Sequence, residues 1–318
     1  GYKIYTTCDP EIQVIAEEVY KDYKSIDSVF KNDNKMQSGI TIIDQYSGDV
    51  LASVGGIKKE NSEDTINYAR LKRNPGTTII PLTAYAPAID AEKVTPYTTI
   101  PVNINGFQRN IAINTSIQKA INEVGIELLQ IVGERESFNF VTENVKLPLN
   151  EIDRNSVALG TGELQYGVST EDIAASYAAF ANGGVYNKPR TYLWVEDVNG
   201  NIVFKNDQEA SRAMKEETAY LMTEMLNGVV TSGTGVAAKF SDMGAAGKTG
   251  TTNNNNDRWF VGYTPYYVAA VWVGKEDNSI INSSNNPACS IWKEIMERIH
   301  INLPDKKFLD SYSSLEKD

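Results

Sequence analysis

Apolar and polar side chains alternate from the N-terminus through Tyr5 and then meet Pro10, so the chain is expected to open with a short strand that enters a helix over about residues 11–24. Residues 31–35 form a polar break. Ile40, Ile42 and Ile43, a turn over 45–49, and then Val50, Leu51 and Val54 predict a strand hairpin closed by Gly55 and Gly56, the first part of a sheet. Residues 57–67 are polar and read as a loop. Pro75 and Gly76 then introduce an apolar run over 77–88, expected to be a buried helix, and 90–106, with Pro96, Pro101 and Gly106, reads as irregular connection. Between about 112 and 130 the spacing of Ile117, Ala120, Ile121, Val124 and Leu128 predicts one face of a helix, with Gly125 as its expected interruption.

Ser169 and Asp172 have the spacing of a capping box, and Ile173, Ala174, Tyr177, Ala178 and Ala181 continue with helical periodicity up to Gly183 and Gly184, which suit a left-handed C-cap. A hairpin is expected over 191–204, with Asn199 and Gly200 supplying the positive φ angles of a two-residue turn. Leu221, Met222, Met225 and Leu226 mark another helix, expected to end at Gly228. The strongest strand signals come late, at 248–251, 259–264 and 266–273, broken by four asparagines and by Pro265. Three adjacent strands with short connections predict an antiparallel sheet. Ile291, Trp292, Ile295, Met296 and Ile299 mark a C-terminal helix that would cover it.

Composition narrows the function classes. A chain of 318 residues, 41% hydrophobic and 22% charged, is expected to fold as one large α/β unit. A net charge of -11 and a pI near 4.8 argue against nucleic acid binding through a basic face. No stretch reaches the roughly 18 to 20 apolar residues of a membrane span, and no signal peptide opens the chain, so the segment is expected to be soluble, with any anchor outside it. Cys8 and Cys289 lie near opposite ends without metal-ligand spacing, and free thiols are expected rather than a disulfide. His300 is the one histidine, so no His-rich metal site forms, and it reads as a surface or packing residue. No metal or cofactor is expected.

Chemistry concentrates in a few segments. Lys248, Thr249 and Gly250 form a KTG triplet within GKTGTTNNNNDRWFVGYTP, and residues 75–81 read PGTTIIP. With TIIDQYSGDVLASVGG, ALGTGELQYGVSTEDIAASYAAFANGG and MTEMLNGVVTSGTGVAAK, these blocks resemble, in family order, the transpeptidase domain of class A penicillin-binding proteins. The resemblance covers almost the whole chain. It implies an α/β (α+β) fold, an antiparallel sheet flanked by helices on both faces, with an N-terminal strand and helix linker over 1–35 and the transpeptidase-like domain over 36–318. It also implies acyl transfer from a D-Ala-D-Ala stem peptide.

The motifs depart from that family in a specific way. Its SxxK nucleophile motif places serine where Thr77 stands and the general-base lysine where Ile80 stands. Thr77 keeps a hydroxyl, with an added methyl that stiffens χ1, whereas Ile80 can neither take nor give a proton. General-base assistance is typically worth about 10²- to 10⁴-fold. In the family's SxN motif, anchoring on KAINEVG places Ala112 on the serine and Asn114 on the asparagine; the other register aligns Thr115 and Ile117, and serine is absent in both. The segment between Thr77 and this motif is shorter than the family's. Ser116 nearby reads as a surface residue. The third motif is intact, and the resemblance implies that Lys248, Thr249, Gly250 and Thr251 form the substrate-binding strand, with Lys248 and Thr249 for a carboxylate and the backbone N–H groups of Thr77 and Thr251 as an oxyanion hole.

Read without the family, Thr77 is a helix N-cap, Ile80 a core residue, Lys248 a solvated strand lysine, and Asp257, Arg258 and Trp259 fix a turn and the core. The resemblance implies a pseudoenzyme that binds stem peptide weakly or acts as a scaffold, without covalent β-lactam binding. The alternative is a slow transpeptidase using Thr77, with Lys248 or another group as base. An upstream glycosyltransferase domain, other cell-wall synthesis proteins and an extracytoplasmic location at the membrane are its implied context.

Overall fold

A computed structural model describes the chain except for residues 58–65, 159–162, 241–242 and 309–318. In chain order its strands are β1 (Lys3–Thr6), β2 (Met36–Asp44), β3 (Val50–Val54), β4 (Thr99–Ile104), β5 (Phe107–Ala112), β6 (Val185–Asn187), β7 (Tyr192–Glu196), β8 (Ile202–Lys205), β9 (Ala210–Arg212), β10 (Ala246–Thr251), β11 (Asp257–Tyr263) and β12 (Tyr267–Lys275). Five of them form the central antiparallel sheet in the order β10-β11-β12-β2-β3. Its two faces are buried by different layers. Trp259, Val261, Tyr263, Val268, Ala270 and Trp272 point into one core, shared with the Thr170–Ala181 and Glu216–Ser232 helices. Phe260, Ala269, Val271, Val273, Ile40 and Ile42 point into the other, with the Pro10–Lys21 and Pro287–His300 helices. Burial on both faces is why these strands read as apolar runs and not as alternation.

Three buried tryptophans pin the layers, and each indole N–H has an acceptor, as buried tryptophans require. Trp259 donates to the Asn74 carbonyl at 2.8 Å, Trp272 to Asp257 Oδ1 at 2.8 Å, and Trp292 to the Gly262 carbonyl at 3.2 Å. Asp257 and Trp259 thus fix a turn and the core, as read from the sequence. The capping box also forms: Ser169 and Asp172 each bond the other's backbone N–H at the start of the Thr170–Ala181 helix. Cys8 is exposed and Cys289 buried, both as free thiols. His300 is a packing residue, not a surface one: it sits among Phe240, Tyr266 and Tyr267, with Nδ1 donating to the Met296 carbonyl and Nε2 accepting from Thr264.

Several local expectations are corrected. Residues 90–106 contain β4, which pairs with β5 through a tight turn at Asn105 and Gly106, with φ of 52° and 83°, the left-handed pair of a two-residue hairpin. Exposed polar positions along this ribbon hid it. The helix expected over 112–130 is two helices, Ile113–Lys119 and Asn122–Val132, and the break lies at Ala120, left-handed at φ 53°. Gly125 lies inside the second helix. Gly228 does not end its helix, which runs on to Ser232; a Cβ there would stand 2.2 Å from Gln118 Nε2, so the glycine serves close helix packing. At the β7–β8 hairpin only Gly200 has positive φ, and Asp197 closes a longer turn by accepting from the N–H groups of Asn199 and Asn201. The loop expected over 57–67 falls mostly outside the described residues.

Candidate functional site

The site grows from two segments that meet at the sheet edge. β10 is an edge strand, paired only with β11. Thr252 N–H bonds to the Asp257 carbonyl, and the alternation of an antiparallel ladder therefore turns the backbone groups of Thr249 and Thr251 away from β11, toward the open edge. Against this edge lies the helical run that begins with a 3-10 turn at Gly76–Thr78. Gly76 has φ 54°, and a Cβ there would stand 2.5 Å from the Thr251 carbonyl oxygen, so glycine is needed both for the conformation and for the approach. Thr77 therefore lies within the first turn and is not its N-cap. Beyond it, Pro81 and Pro87 supply no backbone N–H, and the turn between them widens to π spacing, with Ala86 N–H reaching the Pro81 carbonyl.

Thr77 and Lys248 are brought together. Thr77 Oγ1 donates to the Thr249 carbonyl at 3.2 Å, and Lys248 Nζ lies 3.4 Å from Thr77 Oγ1 and 3.0 Å from the same carbonyl. Lys248 is 2% exposed, so the solvated reading fails and it points inward toward the hydroxyl. Burial pushes its pKa down to about 8. At neutral pH it is still mostly an ammonium and donates to Thr77. Thr249 Oγ1 pairs with Thr234 Oγ1 at 2.9 Å, which extends the hydroxyl-lined edge.

Ile80 is placed differently. It is 4% exposed and belongs to the apolar core, where a Cβ on Gly125 would meet its Cγ2 at 3.0 Å. Gly125 thus makes room for the isoleucine. Ala112 ends β5 and precedes the Ile113–Lys119 helix, and Asn114 N–H bonds to the Pro96 carbonyl while its Oδ1 accepts from Thr115. Among the described residues no hydrogen bond links Asn114 to Thr77 or Lys248. Ser116 is fully buried, correcting its surface reading; it donates to the Ile113 carbonyl at 2.8 Å and pairs with Tyr85 at 2.7 Å, so its hydroxyl is committed. The Lys248–Thr77 approach is the feature that sequence reasoning left undecided, since the depth of a strand lysine depends on what packs over the edge. No group of His, Cys, Asp and Glu side chains that could hold a metal occurs among the described residues.

Comparison with known proteins gives a consistent picture. Residues 115–297 match the penicillin binding protein transpeptidase domain, a span that includes Lys248 and begins after Thr77 and Ile80. Penicillin-binding protein 1A of Clostridium acetobutylicum is 32% identical over 96% of this chain and 41% of its own length. That of Streptococcus pneumoniae is 31% identical over 93% of this chain and 46% of its own. The chain thus spans about two fifths of the length of the first of these relatives. The PonA1 protein of Mycobacterium tuberculosis, solved in complex with penicillin V, superposes with a TM-score of 0.80 at 21% identity, covering 97% of this chain and 88% of that one, a likeness of fold.

Proposed function

This chain belongs to the penicillin-binding protein transpeptidase domain family, and we propose that it works in peptidoglycan synthesis as a peptide-binding domain without the acyl-enzyme step. One observation carries this reading: the position of the general base holds Ile80, packed into the core against Gly125, while the cation that does reach Thr77 donates a hydrogen bond to it. Thr77 in turn donates its own hydrogen bond to the Thr249 main-chain carbonyl, which is no base. A nucleophilic hydroxyl needs an acceptor for that proton as it attacks. What remains is a strand edge whose Thr249 and Thr251 N–H groups are turned away from β11, suited to an extended peptide added as a further strand, with Lys248 and Thr249 near its carboxylate.

The domain would act at the outer face of the membrane, held by a segment outside this chain, beside a glycosyltransferase domain and other wall-synthesis proteins; no described helix is long and apolar enough to cross a membrane. Calorimetric titration with a D-Ala-D-Ala-terminated peptide tests the reading. Saturable binding that Thr249→Val weakens supports it, and no heat at millimolar peptide overturns it.

A second reading has its own support. Lys248 lies 3.4 Å from Thr77 Oγ1 with a pKa of about 8, so its neutral form can serve as base above that pH. A slow transpeptidase of this kind would acylate with β-lactam at a rate that climbs through about pH 8 and vanishes in Lys248→Met.

A further inference from the structure

The turn from β10 into β11 forms one side of an open groove of about 810 Å³. Its lining is mostly amide: Asn253, Asn254, Asn255 and Asn256 from the turn, and Asn278 and Asn282 from the segment that follows β12. The Ile281 N–H donates to the Asn255 carbonyl at 2.9 Å, which ties the two segments together. The amides divide into two sets. Asn253 donates to Glu163, Asn255 accepts from Arg258 and Asn278 accepts from Arg73, so these three hold the walls. Asn254 and Asn282 are exposed, and their amides bond to no other described residue. Ile280, also exposed, adds an apolar surface to the same groove.

The charge balance of the groove differs from that of the protein. The chain carries 41 acidic and 30 basic side chains, yet among the described residues no carboxylate lines this groove. The one cation that does, Lys275, is buried and paired with Asp33 at 2.7 Å. A charged ligand finds no opposite charge here. Amides that both donate and accept, beside an apolar surface, complement a neutral sugar. An acetamido group on that sugar is itself an amide and offers the asparagines a donor and an acceptor at once, while the C–H face of the ring lies on Ile280. Three residues separate Thr251 from Asn254, at most about 11 Å of chain. With the peptide carboxylate by Lys248 and Thr249 and its reacting carbonyl by the Thr251 N–H, the rest of the peptide runs past Thr252 toward this turn. We propose that the groove is a subsite for a neutral N-acetylated saccharide, the glycan that carries the bound peptide. The link to the peptide rests on the function proposed above, and the sugar binding is tested without it.

Chitotetraose, a neutral chain of N-acetylglucosamine, is titrated into isotope-labelled protein while the side-chain NH₂ resonances of Asn254 and Asn282 are followed by NMR. Maltotetraose, a chain of the same length without acetamido groups, is the comparison. Chitotetraose is expected to shift both signals saturably and to bind about fivefold tighter than maltotetraose. Asn254→Ala and Asn282→Ala are each expected to weaken chitotetraose about fivefold, read from the signal that remains; if Asn254→Ala melts early, Asn282→Ala carries the comparison. Signals that stay silent at millimolar chitotetraose, equal affinities for the two sugars, or an affinity that neither variant lowers would each overturn the subsite. Silent signals in a protein that binds a D-Ala-D-Ala peptide remove the saccharide subsite and leave the strand edge standing. Saturable signals in a protein that binds no such peptide keep the saccharide subsite and remove the strand-edge reading.

Discussion

On the β10 side of the site, Lys248, Thr249, Gly250 and Thr251 keep an inward lysine and, at Thr249 and Thr251, backbone N–H groups turned away from β11. On the facing helical run, Thr77 retains a hydroxyl while Ile80, one turn on, is part of the core. The two sides differ in what sustains them. The features of the strand on which the proposed binding rests are largely main-chain features, and the fold holds them in place for its own reasons: the β10–β11 ladder fixes the backbone, and Gly76 lets the helical run touch Thr251. The base on the helical side would be a single side chain. With isoleucine there, the core accepts the side chain and closes around it, so position 80 serves packing and offers no proton acceptor.

That contrast can be broken most severely at Ile80. Ile80→Lys places an unpaired amine in the apolar layer against Gly125, and we expect a loss of about 3 to 5 kcal/mol in chemical denaturation at pH 7. A loss below 1 kcal/mol would mean that the position still opens onto the cleft. The opposite sign is expected on the strand, where Lys248→Met removes a buried cation and stabilises by about 1 to 3 kcal/mol at neutral pH. The pH dependence sharpens this prediction. Lys248 has a folded pKa of about 8, below its ordinary 10.5, so between these values the unfolded chain binds more protons than the folded one. Stability contributed at this residue therefore rises as pH climbs from about 8 toward 10.5. The difference between wild type and Lys248→Met should shrink over that window, and a constant difference would refute the buried cation.

A smaller effect tests the fit of Ile80 and Gly125. Gly125→Ala gains helix propensity but meets Ile80 Cγ2 at 3.0 Å. Its cost should fall by about 1 kcal/mol in an Ile80→Leu background, which removes the branching methyl. Additive effects in the double-mutant cycle would show that the two residues do not touch. The smallest effect is expected for Thr77→Val, within about 0.5 kcal/mol, because Thr77 is only half-buried and its partners are a carbonyl and a lysine that also bond each other.

The central sheet was legible in the sequence because its late strands are apolar, bounded by asparagines and Pro265, and because the capping box at Ser169 states its helix start locally. The elements that escaped were set by tertiary contact or by weak patterning. Gly125 and Gly228 look like helix breakers in sequence and are close-packing positions in the fold, a distinction visible only once Ile80 and Gln118 are opposite them. The β4–β5 ribbon carries Pro101 and exposed polar residues, which mask its strand signal. At the site, motif spacing pointed to Thr77, Ile80 and Lys248, but the direction of the hydrogen bonds among them follows from burial and strand register, which spacing does not encode.

Inactivity requires that no group beside Thr77 can take its proton. Intact-mass measurement after prolonged incubation with penicillin V at pH 7 tests that directly. The account predicts an unmodified protein mass. A stoichiometric penicilloyl adduct mapped to Thr77 would contradict it.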